Sequence, residues 1–445
     1  MGSQNQFQIE VLGPIAFDLP LDSELVYFEG FDRHQSRLLA ALNGVSRELA
    51  EEEPPTGAVP WTVAAIEEQD LLYTPPGGRN RDVLPMALVR YEDPLVSALV
   101  DGDLKAVAGE NWSLRALSVN FFTFSVACVR LSMTVTLPPS VDSHAFAILT
   151  EQITTRLSTQ LWRRLERVVQ AFEQGARLAI PLSVDDGSGS TTSKDDGLLW
   201  LQRVFITESD DPAAARDHYR GMLPNFYEVL EFRDSVVVIG VDNSVIACHA
   251  AAEEPDWIIR IFEFEAAMLA RALAIDGALF DELNALVVTS RGANRRQSLK
   301  HVRFATRSFE GSELFRSKVQ STVAFLGSAS VGVWQSRTRV SGWGQLEAST
   351  ERKLTLLSRM AQQRYSEAEA HRTDRFNRLA LMFTLFTVLS SGAALADFVV
   401  GGAILGVNET RLMLLTTMTA AFSVLVLATS LTARPLRVWR RKQSE

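Results

Sequence analysis

The chain is poor in the residues that build reactive or metal-bound centres. Its 445 residues hold two cysteines and six histidines. Cys128 and Cys248 sit in apolar, strand-like contexts without metal-type spacing, which reads as small core residues in a reducing compartment. The histidines, at 34, 144, 218, 249, 301 and 371, are scattered and form no pair at ligand spacing. There is no phosphate-loop Gly-Lys-Ser/Thr signature, no Gly-rich dinucleotide fingerprint after a strand and no nucleophile elbow. These absences leave no constellation for catalysis, and the expectation is a protein that is not an enzyme. The opening MGSQNQFQIE lacks the apolar core of a secretory signal. The Met-Gly start is read as chance rather than as a myristoylation site.

Charge is unevenly spread. The net charge is -9, from 44 Lys and Arg against 53 Asp and Glu. From His371 onward nine basic and four acidic residues leave 35 basic and 49 acidic before them, about -14. An acidic body argues against nucleic acid as a partner. Solubility explains it most simply, and attraction of cations is the sharper alternative.

What the chain does have is two long apolar runs near its end. LALMFTLFTVLSSGAALADFVV covers Leu379 to Val400 with Asp397 as its single charge. LMLLTTMTAAFSVLVLATSLTA covers Leu412 to Ala433 with no charge. About 20 consecutive apolar residues cross a bilayer core, so the pair predicts a transmembrane hairpin over 377–433, which would also direct insertion. Arg372, Arg375, Arg378, Arg434, Arg437, Arg440, Arg441 and Lys442 flank it, against Arg411 alone in the connection. Lys and Arg mark the cytoplasmic side. The expected location is therefore the inner cell membrane, multi-pass, with both termini cytoplasmic and the lipid bilayer as a partner.

The rest reads as a mixed α/β cytosolic domain over 1–290, a long helical stalk over 291–376 and a basic tail over 434–445. A helix is predicted near His34–Glu52, with loops at 53–57 and 74–78. Apolar and polar residues alternate over Val119–Leu137, which predicts two strands or a hairpin. Pro138-Pro139 ends that stretch, and Ser140 or Asp142 can cap a helix over about Asp142–Leu178. Leu149, Ile153, Leu157, Leu161, Leu165, Val168 and Phe172 give this helix a core-facing stripe, and Arg163, Arg164 and Arg167 are read as a solvated face. The run 185–197 has the composition of a disordered loop, and it lacks the Glu that a calcium loop needs.

Further strands are expected at Leu199–Ile206 and Ser235–Cys248, with a hairpin turn at 241–244. Trp257–Val288 is helical, and the Gly-rich piece Gly327–Gly344 breaks a long helical region. From about Gln345 a polar helix with a thin stripe of Leu346, Leu354, Leu357 and Ala361 runs into the first apolar run.

Taken together, the α/β domain, the long helix entering the first of two C-terminal spans, the short outer loop with Gly406-Val407-Asn408 and the basic tail resemble the CorA-type magnesium transporter superfamily. The likeness covers about residues 345–445 and is architectural elsewhere. In that family a Gly-Met-Asn motif closes the first span at the outer mouth of a pore shared by five subunits. The resemblance implies a homopentameric funnel, transport of a divalent cation such as magnesium or zinc, and gating by the cytosolic domain. It assigns Gly406, Val407 and Asn408 to the pore mouth, and ordinary turn chemistry is the alternative. Glu409, beside Arg411, stands alone in an outer loop shorter than the family's.

Asp397 is a candidate for attracting cations, or an interfacial carboxylate. Thr384, Thr387 and Ser391 share one helical face and are candidates to line the pore, or to bond within and between helices. No organic cofactor is implied. The rival reading keeps the architecture without transport, as an anchored sensor or effector that answers a small cytosolic ligand.

Overall fold

The computed structural model describes residues 5–16, 40, 43–44, 62–65, 85–90, 94–122, 126–137, 142–179, 198–209, 211, 219–223, 226–249, 255–288, 295–324 and 326–405. The chain divides into two units, residues 1–292 with 300–361, and residues 293–299 with 362–445. The predicted helix near His34–Glu52, the loops at 53–57, 74–78 and 185–197, the second apolar run and the basic tail lie wholly or mostly outside the described residues.

The first unit is built on a mixed sheet of nine strands. They are β1 (Asn5–Ala16), β2 (Thr62–Ala65), β3 (Pro85–Arg90), β4 (Trp112–Phe122), β5 (Val126–Leu137), β6 (Gln202–Glu208), β7 (Tyr227–Glu231), β8 (Ser235–Gly240) and β9 (Asn243–Cys248). Their order is β2-β3-β4-β5-β1-β6-β9-β8-β7. β1 lies antiparallel between β5 and β6, with Glu10 opposite Ser132 on one side and Val204 on the other. β6 and β9 run parallel. The alternation over Val119–Leu137 resolves into β4 and β5, paired with Val119 opposite Val129. Leu198 packs closely over Gly13, where a Cβ would come within 2.6 Å of Leu198 Cδ1 and the leucine would have to shift.

Both faces of the sheet are covered. On one face lie α1 (Pro94–Ala108) and α2 (Ser143–Ala179). Asp142 caps α2, its carboxylate accepting from the Ala145 N–H at 3.2 Å. Ile153, Leu157 and Leu161 enter the core as the stripe predicted, but Leu149 is exposed and Phe146 takes its place. Phe146 packs against Phe7, Phe205 and Trp112 at 5.1, 5.6 and 6.3 Å between ring centroids.

On the other face lie α3 (Asp256–Val288), α4 (Arg295–Ala324), α5 (Ser328–Val340) and the start of α6 (Trp343–Leu405). Their core joins Ile259, Phe262 and Phe264 of α3 with Trp334, Trp343, Leu354 and Leu357. The Gly-rich piece is mostly helix with a break at each end of α5, at its N-cap Gly327 and at Gly342, whose φ of 74° suits a residue without Cβ.

The second unit contains α6 from Gln362 onward. No helix among the described residues is long and apolar enough to cross a membrane. This corrects the expected transmembrane hairpin, and with it the multi-pass membrane location, the channel architecture and the pentameric funnel that the hairpin was to build. The physical reason lies in α6 itself, where the apolar residues from Leu379 directly follow Arg372, Asp374, Arg375 and Arg378 in one continuous helix and are interspersed with Thr384, Thr387, Ser390 and Ser391.

Candidate functional site

The charged residues that sequence patterning would place at the surface are instead gathered inside the first unit, between the sheet and α3. Strand periodicity explains the placement. Phe7, Ile9 and Val11 of β1 and Val129, Leu131 and Met133 of β5 point to the α2 side. Their alternates Gln8, Glu10, Arg130 and Ser132 therefore face α3. On α3, Asp256, Arg260 and Glu263 recur at spacings of four and three, which puts them on one helical face.

Glu10 is fully buried and fully bonded. Its Oε1 accepts from Gln8 Nε2 at 2.7 Å and from Ser132 Oγ at 2.7 Å, and its Oε2 accepts from Arg130 Nε at 3.0 Å. Arg130 reaches further with Nη1 to Asp256 Oδ1 at 2.8 Å. Asp256 Oδ2 accepts from Arg260 Nε at 2.7 Å. Glu263, 4% exposed, accepts a hydrogen bond from Asn120 Nδ2 of β4. No ion pair to Glu263 exists among the described residues.

The cluster thus matches two guanidiniums with Glu10 and Asp256, and Glu263 is the unmatched acid. Its electrostatics follow. Burial pushes the Glu263 carboxyl up to about 7, and Asp256 adds to the rise, while Arg130, the Asn120 amide and Arg260 resist it. Burial works against the Arg130 charge, but Glu10, Glu263 and Asp256 outweigh it and raise its pKa. Burial would lift Asp256 too, yet Arg130 and Arg260 hold it below the ordinary carboxylate value.

A second buried charge pairs with Glu265, two residues past Glu263 on α3. Arg337 of α5 is 1% exposed. It donates from Nε to Glu265 Oε2 at 2.9 Å, from Nη1 to the carbonyls of Gly240 and Val241 at 2.6 and 3.0 Å, and from Nη2 to Gln202 Oε1 at 3.1 Å. Glu265 Oε1 and Gln202 Nε2 have no hydrogen-bond partner among the described residues. This guanidinium ties α3, α5, β6 and the β8–β9 turn together. On the opposite face of the sheet, Arg203 donates to Thr154 Oγ1 at 2.8 Å, and burial lowers its pKa.

The residues singled out from sequence lie elsewhere. Thr384 and Thr387 hydroxyls donate back to the carbonyls of Ala380 and Phe383 in their own helix, at 2.8 and 2.7 Å. That is the bonding-within-helix alternative for these two hydroxyls. Ser391 is exposed on α6, and Asp397 falls in the helical backbone with its side chain outside the described residues. Gly406, Val407, Asn408 and Glu409 lie outside the described residues altogether. Among the described residues, no group of three His, Cys, Asp or Glu could hold a metal ion.

Sequence reasoning passed over Glu10, Arg130, Glu263, Glu265 and Arg337. A signal was present for three of them, because Arg130 interrupts VACVRLSMTV and the two acids interrupt IIRIFEFEAAML. A charge inside an apolar run must be paired or neutralised once the run is buried. Compared with known proteins, the chain matches no family model, no curated protein and no solved structure.

Proposed function

We propose that the protein is a non-enzymatic sensor or effector. Its α/β unit receives a small ligand or ionic signal, and the chain acts by associating with further copies of itself along the second part of α6. The observation that carries this reading is an exposed apolar helix surface. Phe376, Phe383 and Phe386 are 71, 73 and 75% exposed. Leu379, Leu381, Met382, Leu385 and Leu389 are each more than half exposed, and Val388 is 37% exposed.

At 100° per residue these nine side chains span an arc of about 240°. Asn377, Ala380, Thr384 and Thr387 occupy the remainder. At about 150–250 Å² for a fully exposed aromatic, the nine together present on the order of 1,000 Å². The largest apolar patch of an ordinary monomer is roughly 300–600 Å², and a standard interface takes about 800 Å² from each partner. A single neighbouring helix covers a stripe of about 100°, so an arc of this width calls for two or more neighbours.

The receiving end is supported by the charged cluster, whose Asp256 and Arg260 are about one third exposed at the start of α3. The sequence also carries no nucleotide-binding or nucleophile signature. Transport through a shared pore would need the spans corrected above and is not carried forward.

Light scattering on the full chain, at about 1 and 50 μM, tests the reading. An assembly that the double substitution Phe383→Glu, Phe386→Glu reduces to single chains is the expected result. Single chains at both concentrations would overturn it, and would leave residues 412–433 to cover the arc within one chain. So would single chains that float with lipid vesicles, since lipid would then be the occupant.

A further inference from the structure

We propose that Glu263 is a proton-operated switch that seats α3 on the sheet: neutral, it lets the helix close over the cluster, and ionised, it loosens the first turns of that helix. The switch lies within the first unit and does not depend on self-association.

Glu263 faces Asn120 of β4, and Arg130 and the Cys128 thiol of β5. Along its own helix it faces Asp256 and Arg260. Both guanidiniums are already committed, Arg130 to Glu10 and Asp256 and Arg260 to Asp256. Arg337 of α5 is committed to Glu265. Among the described residues, the ion pairs that α4 and α6 make to α3 are His301 with Glu282 and Lys353 with Asp276. Asp276 is 13 residues from Glu263, about 20 Å along the helix, so neither cation compensates it.

Among the described residues of the cluster, with Glu263 neutral, two positive charges meet two negative ones. When it ionises, a third negative charge is buried with one amide donor for support, and burying an uncompensated carboxylate is costly. The least expensive relief is to admit water. Asp256, one third exposed and at the first turn of α3, marks the way in. Fraying of a helix end near solvent is the low-energy form of local opening.

The test is hydrogen exchange on the full chain, read by mass spectrometry in peptides covering residues 256–265, between pH 6 and 8.5. After correction for the intrinsic pH dependence of amide exchange, the wild-type rate should rise about tenfold or more, with its midpoint near pH 7. Glu263→Gln keeps the acceptor for Asn120 without the charge, and should stay protected across the range. Glu263→Leu, which needs no partner, should behave the same way if the Gln variant folds poorly. A flat wild-type profile overturns the proposal. So does an unchanged pH dependence in either variant, which would assign the opening to another group.

Discussion

Replacing Arg337 with Met is the sharpest test of how the α3 side of the sheet is held. The substitution keeps most of the volume and removes four hydrogen bonds at once, to Glu265, Gly240, Val241 and Gln202. Glu265, fully buried, then loses its counter-charge, and its Oε1 has no other partner among the described residues. Removing one member of a buried ion pair typically costs about 3–5 kcal/mol. The two carbonyls add to this because each loses a donor, though the terms overlap. At about 2 °C per kcal/mol, the low end suited to a large domain, the melting temperature should fall by roughly 6–10 °C.

The cycle with Glu265→Leu separates pair energy from packing. Removing both charges restores apolar contact and should recover all but about 1–2 kcal/mol, the share of the orphaned carbonyls. The coupling between the two sites should then be about 2 kcal/mol or more. Urea unfolding followed by far-ultraviolet circular dichroism reads all four proteins. A single substitution within about 1 kcal/mol of wild type, or additive single effects, would refute the assignment of Arg337 as the tie between these elements.

Three further outcomes follow from the same structure. Glu263 holds its proton to about pH 7 when folded, against an ordinary value of 4.5. The folded chain therefore binds more protons than the unfolded chain between those values, so stability should fall as pH rises through that window and level off above 7. At 1.36 kcal/mol per unit the loss is on the order of 3 kcal/mol. Glu263→Gln should accordingly be more stable than wild type at pH 8 and no better at pH 5, and parallel profiles would refute this. Phe146→Ala, which empties the ring cluster formed with Phe7, Trp112 and Phe205, should cost about 3–5 kcal/mol in urea; a cost under about 1 kcal/mol would remove that cluster from the core. Burial pushes the Cys128 thiol well up and the Cys248 thiol up to about 11. A thiol reagent at pH 8 should therefore label neither until the chain unfolds, and fast labelling of the native protein would contradict their burial.

Local chemistry in the sequence settled the local elements. Period-two alternation marked β4 and β5, Asp142 marked the start of α2, and the turn at 241–244 joined β8 to β9, because each depends on residues a few positions apart. The apolar stretch of α6 was equally visible. What it means was not, since an apolar run names its preference for leaving water and not its neighbour. Sequence composition read that run as a span, whereas the described residues of α6 hold no stretch long and apolar enough to cross a membrane, and Thr384 and Thr387 bond to their own backbone.

Only tertiary structure decided the rest. The strand order sets β1 between β5 and β6 and runs β6 parallel to β9, pairings that no local period encodes. The candidate site is of that kind. Asn120 meets Glu263 across 143 residues, Arg130 meets Glu10 across 120, and Arg337 meets Glu265 across 72. Each of these side chains could equally have been solvated. Burial beneath α3, where water is excluded and every charge must find a partner or a proton, turned them into a linked set.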